Sequence, residues 1–75
     1  MIFSAHARQR MRERGISEEE VEEAQRNVYA VTPANRPDRV NLWGRTEAGR
    51  RLRITTYRDN PRFIITVVAP VGGPR

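Results

Sequence analysis

Seventy-five residues allow one domain with a modest core, so the chain leaves room for a partner or a second copy to complete its stability. It has no cysteine and one histidine, which rules out a disulfide framework, a thiolate nucleophile and a zinc knuckle; no cofactor is expected. Net charge is +5, but five glutamates crowd Glu18 to Glu23, and the fourteen arginines against four other acids leave +10 on the rest. So segregated a charge favours polyanions or an acidic protein partner. No apolar run is long enough to cross a bilayer, and "MIFSAH" lacks the features of a signal peptide, so the expected location is the cytoplasm.

In chain order, Met1 to Phe3 can add a short edge strand. Ser4 then caps a helix from about Ala5 to Arg14, and Gly15 suits the left-handed position that ends it, with Ile16 folding back. "SEEE" opens a second helix through a capping box of Ser17 and Glu20. It is expected to reach about Asn27, with Val21, Ala24 and Val28 as its apolar face. Pro33 and Pro37 mark a loop, after which the hydrophobic period changes to alternation. "RVNLWGRT", "RRLRITTYR" and "RFIITVVA" read as three strands joined by turns at "EAG" and "DNP". The predicted fold is α+β: two N-terminal helices packed on a three- to four-stranded antiparallel sheet, over residues 1–70, with 71–75 a flexible tail.

Alternation sends Leu52, Ile54 and Thr56 toward the helices and Arg51, Arg53, Thr55 and Tyr57 away. In the preceding strand Val40 and Leu42 face inward, while Asn41, Trp43 and Arg45 face outward. An uncovered surface thus collects Trp43, Arg45, Arg51, Arg53 and Tyr57, with Thr66 as the polar residue of the last strand. Guanidinium groups for phosphates and ring faces for unpaired bases are what single-stranded RNA requires, and an exposed tryptophan is expected to serve as such a platform. A solvated strand face with Trp43 covering the core's edge is the alternative.

In "SAHARQRMRERG" the side chains of His6, Arg10 and Arg14 share one stripe of the first helix. Histidine is the one residue type whose ordinary pKa lies near neutrality, so any proton transfer is expected to pass through His6. Arginine cannot act as a base, but it can stabilise charge that develops on phosphorus. The glutamate run reads as a well-capped, soluble helix face.

"SAHARQRMRERGIS", the glutamate-rich helix after it, "GRTEAGRRLRITTY" and "FIITVV" together resemble the small bacterial domains of domain-of-unknown-function family 4258. Ser4, His6, Ala7, Arg10, Met11, Arg14, Gly15, Ile16 and Ser17 carry the pattern, and the likeness spans about residues 3 to 69. Those domains look like relatives of the RelE and BrnT toxins of toxin–antitoxin pairs. The resemblance implies an RNA-binding, metal-independent endoribonuclease, with an acidic antitoxin or a second copy as protein partner. It casts His6 as acid or base, Arg10 and Arg53 as phosphate clamps and Tyr57 as a positioning or proton-donating group. Arg14, Trp43, Arg45, Arg51 and Thr66 would then contact RNA. One departure is that the segment after the last strand, basic in BrnT-type chains, reads "APVGGP" here and supplies no cation. A non-catalytic nucleic-acid-binding or protein-interaction module on the same fold remains the alternative.

Overall fold

The structure, a computed structural model, describes residues 1–70; the expected tail, 71–75, lies outside the described residues. In chain order it contains β1 (Ile2–Phe3), α1 (Ala5–Arg14), α2 (Glu18–Arg26), β2 (Val28–Pro33), β3 (Arg39–Arg45), β4 (Arg51–Tyr57) and β5 (Asn60–Val68). The sheet order is β1-β5-β4-β3-β2, with β1 parallel to β5 and every other pair antiparallel. The architecture is therefore α+β, two helices on a five-stranded mixed sheet. This corrects the expected three- to four-stranded antiparallel count.

The additional strand is β2. Val28 was expected on the apolar face of the second helix, but α2 ends at Arg26 and Val28 opens a strand opposite Gly44, more than a third exposed. The run "VYAVTP" is β-branched and aromatic in composition, which suits a pleated, half-buried surface once a partner strand lies beside it. Its last residue, Pro33, sits on a sheet edge, where one backbone N–H fewer leaves no inner ladder broken.

Both helix starts follow from the side chains that precede them. The Ser4 hydroxyl accepts from the Ala7 N–H at 3.0 Å, and Ser17 and Glu20 form the reciprocal capping box. Gly15, at φ 63°, ends α1 in the left-handed region, and the Ile16 N–H donates to the Met11 carbonyl at 2.8 Å. Ile16 thereby joins Ala7, Met11, Val21 and Ala24 against Leu52, Ile54, Ile64 and Val67, a core in which Leu52, Ile54 and Thr56 face the helices as alternation requires.

Arg50 fastens the junction between the helices. Its guanidinium donates to the Arg14 carbonyl at 2.9 Å and the Gly15 carbonyl at 3.0 Å, and lies 3.4 Å from Glu20. It satisfies carbonyls left unpaired at the end of α1 and meets the acid that caps α2. Arg50→Ala is expected to destabilise the fold by about 1 to 2 kcal/mol, the lower part of the range for charged hydrogen bonds because the side chain is a third exposed. Urea unfolding measures this, and an unchanged midpoint would show the clasp to be energetically idle.

Thr56 presents the opposite case. Its side chain is fully buried and its hydroxyl has no hydrogen-bond partner among the described residues. A buried, unpaired hydroxyl costs about 1 to 3 kcal/mol, and valine has nearly the same shape. Thr56→Val is thus expected to raise the thermal midpoint by several degrees, about 4 to 8 °C for each kcal/mol in a domain this small. A lower midpoint in calorimetry would contradict it.

Candidate nucleic-acid interface

The two helices lie over β3, β4 and β5 on one side of the sheet, and among the described residues no helix covers the other side. On that open side β3 and β4 form three successive outward cross-strand pairs: Arg39 with Tyr57, Asn41 with Thr55, and Trp43 with Arg53. Between them and α1 is a cleft of about 410 Å³, lined by His6, Ala34, Asn35, Arg39, Asn41, Arg53, Thr55, Ile65 and Thr66. Two guanidinium groups, an imidazole, two amides and two hydroxyls line it, and among the described residues no carboxylate does. Such a lining favours an anion with several acceptor oxygens.

His6 reaches this cleft because of a bulge in β5. Thr55 pairs with Thr66 but the next residue, Thr56, pairs with Ile64, so Ile65 is an extra residue in the ladder. A bulge of this kind re-aims side chains, and here the adjacent Ile65 and Thr66 both line the cleft. The Ile65 carbonyl accepts a 2.7 Å hydrogen bond from the Ser4 hydroxyl, and the Ser4 N–H donates to the Ile64 carbonyl at 3.0 Å. Ser4 thus caps α1 and ties its first turn to the bulged strand, which holds the exposed His6 at the rim.

The floor is fixed by side-chain hydrogen bonds. The Thr55 hydroxyl donates to Asn41 Oδ1 at 2.7 Å, and Asn41 Nδ2 donates to the Pro33 carbonyl at 3.3 Å. Trp43 differs from the sequence expectation. It is not an exposed platform: it is 8% exposed, its indole N–H donates to the Thr32 hydroxyl at 2.8 Å, and the Arg53 guanidinium lies 5.7 Å from its ring centre. The strand β2 explains the difference, since Thr32 on that strand both flanks the indole and accepts its proton. Tyr57 is half-buried, tilted against Phe63 at 5.4 Å, with the Arg39 guanidinium 5.5 Å from its ring centre.

Of the residues singled out from the sequence, His6, Arg53 and Thr66 line the cleft together. Arg10 and Tyr57 are not among its lining residues; Arg10 pairs with Glu13 at 3.5 Å. Arg14 is exposed at the far end of α1, about 12 Å along the helix from His6. Arg45 and Arg51 face each other across β3 and β4, an unfavourable pairing of like charges, and Arg45 lies over the Tyr29 ring at 4.6 Å. Arg39 was missed, although the alternation that turns Asn41 and Trp43 outward extends one step back to it. Asn35 and Ala34 gave no signal, because their place depends on how the β2–β3 loop folds over the sheet.

Among the described residues no group of three His, Cys, Asp or Glu side chains could hold a metal ion, and no helix is long and apolar enough to cross a membrane. Residues 3–69 match the profile of a family described as Domain of unknown function (DUF4258). No curated protein and no solved structure matches the chain.

Proposed function

This chain belongs to the DUF4258 family, and from the composition of its cleft we propose that it binds RNA and cuts a phosphodiester bond without a metal ion. The supporting observation is that the one histidine and Arg53 line the same cleft, to which no carboxylate among the described residues contributes. In this reading the RNA backbone lies along the open side of the sheet, with Arg45 and Arg51 as further phosphate contacts. His6 accepts the proton of the 2′-hydroxyl, the 2′-oxygen bonds to the adjacent phosphorus, and the bond from phosphorus to the 5′-oxygen breaks. Water protonates the leaving 5′-oxygen, so the products are a 2′,3′-cyclic phosphate and a 5′-hydroxyl. Arg53 offsets the negative charge that grows on the phosphoryl oxygens.

The resemblance of this family to RelE- and BrnT-type toxins, drawn from the sequence pattern, implies a further step. We extend the proposal to a toxin-like role in the cytoplasm, with an acidic partner protein that neutralises the arginine-rich surface. Trp43 has a different part from the one its residue type suggested: it supports Arg53 and does not stack on bases.

The test is incubation of the purified chain with RNA in EDTA, with analysis of the new ends. Cleavage leaving 2′,3′-cyclic phosphates, absent when the scissile ribose is 2′-deoxy, supports the reading. RNA that is bound yet stays intact would make the cleft a binding site only.

A further inference from the structure

We infer that Arg39 is a second phosphate-holding residue, paired with Arg53, and that Tyr57 and Trp43 are positioning residues which seat the two guanidinium groups. The inference rests on the reading of the cleft as a phosphodiester site. Its basis is the register of β3 and β4. The Asn41–Thr55 pair forms the middle rung, Arg39 belongs to the rung on one side and Arg53 to the rung on the other, and each arginine stands directly opposite an aromatic residue. The two arginines are thus diagonal to each other, and both reach the same cleft.

Each guanidinium lies over the ring across from it, Arg39 over Tyr57 at 5.5 Å and Arg53 over Trp43 at 5.7 Å. The rings are braced in turn, Tyr57 by Phe63 and Trp43 by its hydrogen bond to Thr32. A ring under a guanidinium occupies one face and leaves the N–H edge free to bind oxygen. Among the described residues, the Nε of both arginines is sealed from solvent without a hydrogen-bond acceptor. The Asp38 carboxylate stands 3.7 Å from the Arg39 Nε, too far for a hydrogen bond. Each Nε is thus held inside the protein, and a phosphate oxygen between the two arginines would be met by their terminal N–H groups, which are not among the sealed, unpartnered atoms and give charge-assisted, fork-shaped donation. The chemical class of the ligand is a phosphate group of the RNA backbone.

Two probes that cannot be cleaved test this without relying on catalysis: inorganic phosphate, and a fluorescein-labelled short 2′-O-methyl oligouridine. Arg39→Ala is expected to weaken phosphate binding on the order of tenfold, as loss of a charged hydrogen-bond donor does. It should also make the slope of log affinity against log salt for the oligonucleotide shallower by about 0.7, one phosphate contact on a single strand. Tyr57→Phe, which keeps the ring, is expected to bind like the parent, whereas Tyr57→Leu loses about threefold, the size of an exposed cation–π contact. Thermal midpoints of all variants separate these effects from loss of fold. Phosphate affinity and salt slope both unchanged in Arg39→Ala would overturn the inference, even if RNA is cut normally. Phosphate binding that depends on Arg39, in a protein that never cuts RNA, would sustain the inference while the catalytic reading fails.

Discussion

Gly44→Ala is expected to lower the stability of the fold by about 3 kcal/mol or more, which in a domain this small moves the thermal midpoint down by about 12 °C at least. The reason is contact geometry. A Cβ built on Gly44 would stand 2.0 Å from the Ala24 carbonyl oxygen and 2.7 Å from its carbon. Both are backbone atoms of a helix, so no side-chain rotation relieves the overlap, and α2 would have to lift from β3. That movement would also pull Ala24 and Val21, both fully buried, away from the core. Thermal and urea unfolding of the variant measure the cost. A midpoint within a few degrees of the parent would mean that α2 does not lie against β3 as closely as described. Gly49 makes a useful control, since its added Cβ meets nothing within 4 Å and only its positive φ of 87° opposes a side chain. Its substitution should cost distinctly less.

His6→Ala is expected to reduce RNA cleavage by about 10² to 10⁴-fold, the range associated with one proton-transferring group. RNA affinity should change little, because the imidazole sits on the rim and the guanidinium groups of the cleft remain. Arg53→Ala gives the complementary pattern, in which affinity and rate both fall, since its charge serves ground-state binding and the transition state alike. Single-turnover rates at saturating protein, beside binding measured with a 2′-O-methyl analogue, resolve the two patterns. If His6→Ala cuts RNA as fast as the parent, the imidazole is not the proton-transferring group, and the proposed chemistry is lost.

Much of the scaffold was legible because it is specified locally. Ser4, Gly15 and the Ser17–Glu20 box each act within a few residues, and the structure contains the two helices they mark. The alternation in "RRLRITTYR" assigned Leu52, Ile54 and Thr56 to the core for the same reason: a strand's pleat fixes its two faces without reference to its neighbours. The second strand was not legible. Val28 fits a helix face at spacing three and four from Val21 and Ala24 as well as it fits a strand, and only the presence of β3 decides between them.

The candidate site divides along the same line. By itself the sequence determined which residues lie on the open face of β3 and β4, that their charge is almost all arginine, and that one imidazole stands near the start of the first helix. Only the tertiary structure decided that the imidazole lines the same cleft as Arg53, that Arg39 lines it too, and that Trp43 is covered. Each of those depends on a non-local event: the bulge at Ile65, the hydrogen bond from Ser4 to that bulge across sixty-one residues, and the pairing of β2 beside the indole. Local rules set which way a side chain points from its own element, but the meeting of two elements depends on packing and register, which arise only when the whole chain has folded.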